Sequence, residues 1–122
     1  MHIEHIIENG IHLAVVSSDE KVVTSTESAL DMAMTVRHET GASRIALSKT
    51  LFAEEFFILS SGMAGEILQK FITYQIKAAI WGDYSRYTSV PLKSFIYESN
   101  QGNDFFFVST REEAVARLAG AK

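Results

Sequence analysis

A chain of 122 residues, 47% hydrophobic and 21% charged, holds enough apolar material for a single folded domain and too little bias for disorder. Its net charge is −4, and the basic residues are scattered from Lys21 to Lys122, so no concentrated basic face for nucleic acid is expected. The absence of cysteine excludes disulfides, thiolate metal sites and a cysteine nucleophile.

No apolar run approaches the ~20 residues that span a bilayer. The opening Met1-His2-Ile3-Glu4-His5 lacks the basic region and apolar run of a signal peptide. A cytoplasmic location with no membrane contact is the expectation. No repeat, low-complexity tract or linker interrupts the chain, so residues 1–122 read as one domain.

Residues 3–8 and 11–17 flank Asn9-Gly10, a strong hairpin signal because both turn positions require positive φ. In a two-residue hairpin Ile6 faces Leu13, Glu8 faces Ile11 and Glu4 faces Val15. Thr24-Ser25-Thr26-Glu27 reads as a capping box, followed by a helical stripe of Leu30, Ala33, Met34 and Arg37 that ends at Gly41. Residues 44–47 form a short buried strand, and 48–59 a loop or helical turn. From Ser61 the apolar residues Ala64, Ile67, Leu68, Phe71 and Ile72 mark one face of a helix.

Residues 77–81 read as a central strand, and Gly82-Asp83 ends it. Pro91 starts a helix with a face of Leu92, Phe95 and Ile96. Residues 105–108 form the last strand, and Thr110-Arg111-Glu112-Glu113 caps a final helix with Ala114, Val115 and Leu118 inward. Strands alternating with helices after a hairpin predict an α/β domain with a mostly parallel sheet of about five strands.

Chemistry concentrates in residues 52–65 and 82–85. Ser60 or Ser61 is placed to cap a helix by accepting from its free N–H groups. Gly62 and Gly65 bare the backbone at that helix start, although the G-x-x-G spacing is weak as a phosphate motif, and close packing is the simpler reason for Gly65. Glu54 lies before the helix, and Asp83 follows a strand whose C-terminal end faces the same side, the edge where open parallel sheets bind ligands. A carboxylate pair there suits acid–base chemistry or a hard cation, but Asp83-Tyr84-Ser85 also reads as a turn held by its aspartate. Phe52, Phe56 and Phe57 beside the glycine-opened helix suit a partner groove or small apolar pocket.

No histidine is positioned to activate either serine, and no catalytic residue is assigned. His5 and His12 fall diagonally on one face of the hairpin, ~7–8 Å apart at the backbone. Two imidazoles fall short of the three or four protein ligands of a stable zinc site, so no metal and no cofactor is assigned.

The element order (hairpin, helix, strand, helix, strand, helix, strand, helix) resembles the STAS domain of anti-sigma-factor antagonists and sulfate-transporter tails. Those antagonists carry Asp-Ser-Ser/Thr-Gly at the start of their second helix, with the hydroxyl before the glycine phosphorylated by a partner kinase. Ser60-Ser61-Gly62 matches that place, which implies Ser61 as a regulatory phosphosite; the motif's aspartate is Leu59 here.

In detail the chain is similar to the bacterial domain of unknown function family 4180. The shared stretches include Ala53-Glu54, Phe56-Phe57, Ala64-Gly65-Glu66, Leu68-Gln69-Lys70-Phe71, Gly82-Asp83 with Ser85, and Phe95-Ile96-Tyr97-Glu98-Ser99-Asn100. The resulting expectation is a non-enzymatic, self-associating interaction or regulatory domain. Its surface would comprise Phe52, Glu54, Phe56, Phe57, Ser60, Gly62, Gly65, Asp83 and Ser85. A small-ligand site at the edge of Glu54, Ser61 and Asp83 is the alternative, and an enzyme using those carboxylates is the third.

Overall fold

The computed structural model describes residues 1–122. Strands β1 (His2–Glu8) and β2 (Ile11–Ser17) form the hairpin, with Asn9 and Gly10 at φ 53° and 76° as the turn requires. The register pairs Ile6 with Leu13, Glu8 with Ile11 and Glu4 with Val15, as the sequence predicts. Helix α1 (Thr26–Thr40), β3 (Arg44–Ser48), α2 (Met63–Thr73), β4 (Lys77–Trp81), α3 (Val90–Gln101), β5 (Phe105–Val108) and α4 (Arg111–Gly120) follow.

The five strands lie side by side in chain order. Three pairs are parallel, while β1–β2, the longest ladder, is antiparallel. The sheet is therefore mixed, which corrects the expectation of a mostly parallel one. The tight Asn9-Gly10 turn allows only an antiparallel return, and that hairpin carries the largest share of any single pairing.

Because strand order advances in one direction, crossovers of the same hand must all fall on the same face. Helices α1, α2 and α3 accordingly cover one face. They bury Ala29, Met32, Ala33, Val36, Ala64, Ile67, Phe71 and Leu92 against Ala14, Val16, Ile45, Leu47, Ala78, Ile80, Phe105 and Phe107. Helix α4 alone is left for the other face. There Ala114 and Leu118 pack on Leu13, Val15, Ala46, Ala79 and Phe106. Alanines at the centre of β3 and β4 let that single helix approach the strands. The consecutive phenylalanines of β5 thus serve both faces, and Arg117 lies 4.3 Å from the Phe106 ring centroid.

Two side chains close exposed backbone. The Asn100 amide donates to Phe107 O at 3.0 Å and accepts from Phe107 N at 2.8 Å, pairing with the outer edge of β5 as another strand would. Arg44 Nη1 donates to Leu118 O and Ala121 O at 2.6 and 2.9 Å, satisfying the end of α4.

The helix starts differ from expectation in detail. Helix α1 is capped by Ser25, not Thr24, because Ser28 completes a reciprocal pair: Ser25 Oγ accepts from Ser28 N, and Ser28 Oγ accepts from Ser25 N, both at 3.0 Å. Helix α2 begins after Gly62, at φ 82°, which has no side chain with which to cap. Ser61 stands one residue too early for that role, although its hydroxyl still accepts weakly from Met63 N at 3.3 Å.

Gly65, expected to permit close packing, has no atom within 4 Å of where a Cβ would stand. It is a helical glycine without a steric reason, and alanine is the better helix former there. Gly65→Ala is expected to raise stability by about 0.5–1 kcal/mol, read as a higher urea midpoint at unchanged slope.

Candidate functional site

The site lies at the C-terminal end of β3, β4 and β5, where two connections meet. After β3 the chain takes three 3-10 turns, Lys49–Leu51, Glu54–Phe57 and Leu59–Ser61. They are tied down by Val22 N and Val23 N, which both donate to Leu51 O, and by Ala53 N, which donates to Val23 O. After β4 the connection through residues 82–89 folds back over them.

Aromatic rings join the two connections to the core. Phe56 lies 4.7 Å from Phe52, 5.0 Å from Phe57 and 6.3 Å from Phe107. Phe57 stacks on Tyr87 at 5.1 Å, and Tyr84 meets Phe107 edge-on at 5.8 Å. Phe52, Phe56 and Phe57 are all buried, so the apolar surface expected from them is not exposed. Each has an aromatic neighbour to pack on, and burying such rings is worth more than leaving them wet. The exposed apolar side chain of this segment is Ile58, at 54%, a residue the sequence reading passed over.

Two depressions flank the Phe57–Tyr87 stack. One is a groove of about 560 Å³ lined by Ile58, Leu59, Ser60, Arg86, Tyr87 and Pro91 among others. The other is a polar cleft of about 480 Å³, lined by Lys21, Ser48, Lys49, Thr50, Glu54, Asp83 and Arg86, and also by Trp81 and Gly82. Glu54 and Asp83 are therefore brought to one cleft, as their positions in the chain suggest. Ser61 does not line it, so the expected constellation of Glu54, Ser61 and Asp83 does not assemble. Gly62 and Gly65 lie elsewhere, in a depression along α2 with Thr26, Glu66 and Lys70.

The carboxylates in the cleft already have partners. Arg86 Nη2 forms an ion pair with Glu54 Oε1, and the Tyr87 hydroxyl donates to Glu54 Oε2 at 3.4 Å. Asp83 Oδ1 accepts from Ser85 N at 2.9 Å, the turn anticipated from Asp83-Tyr84-Ser85. That backbone N–H, then the Ser85 hydroxyl, holds the Asp83 carboxyl below the usual carboxylate range, with Lys49 and Arg86 adding to the effect. Asp83 therefore lacks the raised affinity for protons that suits a general acid at neutral pH.

Lys49 is different. Its Nζ stands 4.8 Å from the Tyr87 ring centroid and 5.2 Å from that of Phe57, with no carboxylate in salt-bridge range. Its stem crosses Gly82 so closely that a Cβ there would lie 2.6 Å from Lys49 Cβ, which is why a glycine ends β4. Lys49, Arg86 and Tyr87 were not legible as site residues. No local motif marks them, because they meet only through the pairing of β3 with β4.

Ser60 lines the groove and Ser61 is exposed beside it. The Ser61 hydroxyl donates to Glu55 O at 2.7 Å, closing the last two 3-10 turns on each other. These hydroxyl and carboxylate contacts lie within or between the two connections, and every buried residue of the chain is hydrophobic.

Tyr84 provides the clearest pH dependence. Its hydroxyl donates to Ile80 O at 2.8 Å, and burial, with a smaller effect from Tyr87, pushes its ionisation far above the ordinary tyrosine range. A raised native value means that its contribution to stability is complete below pH ~10 and declines as the unfolded chain ionises above it. Urea midpoints of wild type and Tyr84→Phe, followed from about pH 8 to 11, should show a steeper alkaline loss in wild type. Parallel curves would place no titration penalty on Tyr84.

No helix of the chain is long and apolar enough to cross a membrane. No curated protein and no solved structure matches the chain. The family model described as Domain of unknown function (DUF4180) matches residues 8–118, a span that takes in the hairpin turn, both connections of the site and nearly all of α4. The chain belongs to that family.

Proposed function

We propose that this is a non-enzymatic interaction or regulatory domain of STAS-like fold that self-associates through the groove beside the Phe57–Tyr87 stack. The STAS-like reading rests on element order: a hairpin, then three crossovers on one face, then a closing helix on the other. The function rests on one observation. Apolar side chains at the groove are left in solvent, Ile58 at 54% and Val90, next to the groove residue Pro91, at 71%, while the neighbouring carboxylates are already bonded. Tyr97, 67% exposed, lies two helical turns beyond Val90 on the same side of α3 and extends the patch.

Ser61 fits a regulatory role beside that patch, since phosphorylation would remove its donation to Glu55 O and add about −1.5 to −2 charge. Leu59 stands where the STAS motif has its aspartate, and Glu66 Oε1 lies 3.8 Å from a Cβ position on Gly62. The Ser61 hydroxyl also stands 3.3 Å from Met63 N at the start of α2, so a phosphate there would meet backbone N–H groups.

A second reading, a site for a small anion, is favoured by Lys49. Its ammonium is held over two rings without a carboxylate partner in a cleft that Lys21 and Arg86 also line.

Sedimentation equilibrium tests the first reading. Wild type should self-associate, and Ile58→Asp should weaken association at least about tenfold, since burying an isoleucine is worth about 1.5–3 kcal/mol. Circular dichroism melts at dilution, where both chains are monomeric, should coincide, as Ile58 is outside the core. A wild type that remains monomeric, or an Ile58→Asp chain that associates equally well, overturns the proposal.

A further inference from the structure

His5 and His12 are both exposed, on the face of the hairpin that also carries Ile3 and Ile7. Their backbones sit in a seven-pair register fixed by a two-residue turn, so the two imidazoles are held on a stiff support. His5 Nε2 lies 2.7 Å from His12 Nδ1. The ring centroids are 4.9 Å apart and the planes differ by 23°. With nitrogens so close and centroids so far, the rings meet edge to edge, nitrogen facing nitrogen, and do not overlap face to face.

A contact of this kind needs one ring to donate its N–H and the other to offer its lone pair. The shared proton occupies the place of a small cation between two nitrogen donors. Imidazole suits borderline divalent ions such as Zn²⁺, Ni²⁺ and Cu²⁺. Bonds of roughly 2.0–2.1 Å at a tetrahedral angle need the nitrogens to open to roughly 3.3 Å, a small rotation for two exposed side chains. The donating ring then carries its proton on its outward nitrogen, so both inward nitrogens present lone pairs and no net proton is gained or lost. The solvent exposure of Ile7, at 59%, shows that this end of the hairpin is open for the ion to enter.

We propose that His5 and His12 form a two-histidine site for a borderline divalent transition-metal ion, bound through His5 Nε2 and His12 Nδ1, with water in the remaining positions. No group of three or more His, Cys, Asp or Glu residues converges in the chain, so the site is exchangeable rather than a structural staple. The sequence placed the two residues on one face, but only the side-chain geometry brings their nitrogens together.

Titration calorimetry of the tag-free full chain with zinc chloride tests the site. One saturable binding event per chain is expected, lost in His5→Ala and in His12→Ala and retained in His2→Ala and His38→Ala. The two loss variants should melt as wild type does, because both side chains are exposed, and His5→Asn and His12→Asn repeat the test with polar replacements. Nitrogen-15 shifts of the imidazoles should move at His5 Nε2 and His12 Nδ1. Absence of saturable binding by wild type, survival of the event in any of the four hairpin variants, or its loss in His2→Ala or His38→Ala overturns the proposal.

Discussion

The contacts around Phe56 connect the hydrophobic core to everything at the C-terminal edge of the sheet. Its ring touches Phe52 and Phe57 within the 3-10 connection and Phe107 in β5. Through Phe57 the chain of rings reaches Tyr87, and through Phe107 it reaches Tyr84. Two connections with few regular backbone bonds are thereby held in place by side-chain packing. Edge-on and offset aromatic pairs add about 0.5–1.5 kcal/mol each beyond their buried area, enough to order a segment that would otherwise be loose. The groove and the cleft are the two sides of this wall of rings.

That origin explains the character of the site. The rings need the carboxylates and hydroxyls around them to satisfy the backbone of the connections, and Glu54, Asp83 and Ser61 each do so or pair with a neighbour. Left without such a partner are apolar surface at Ile58 and Val90 and the ammoniums of Lys49 and Lys21.

The hairpin at the opposite side of the sheet is a separate unit in this scheme. Its register follows from Asn9-Gly10 and from an alternation that puts Leu13 and Val15 under α4. Charged and polar residues along β1, among them Glu4, Glu8, His2 and His5, discourage further strands from adding to that edge. Arg111 of α4 reaches Glu4 at 2.9 Å, fastening the hairpin to the helix beneath it. The His5–His12 contact is a consequence of the same register, one diagonal step across the ladder.

Much of the fold was legible because its signals are local. Asn9-Gly10, the left-handed Gly41, Pro91 and Thr110 each act within a few residues, through φ or through a cap bond, and each marks its element boundary correctly. Hydrophobic periodicity likewise assigned Ala64, Ile67 and Phe71 to one buried face, although Ile72, expected on it, is 43% exposed. Tertiary structure decided the rest. Whether Phe52, Phe56 and Phe57 face solvent depends on rings supplied by β5 and by the loop after β4, tens of residues away. Whether Glu54 is a free carboxylate depends on Arg86, and whether Gly82 is needed depends on Lys49 across a strand pair. Sequence by itself determined where the chain turns, how the hairpin pairs and which stripes are apolar, since those choices are made over single turns and pleats. Which polar groups are already satisfied, and which surface is left over to bind, was decided only when distant segments came together.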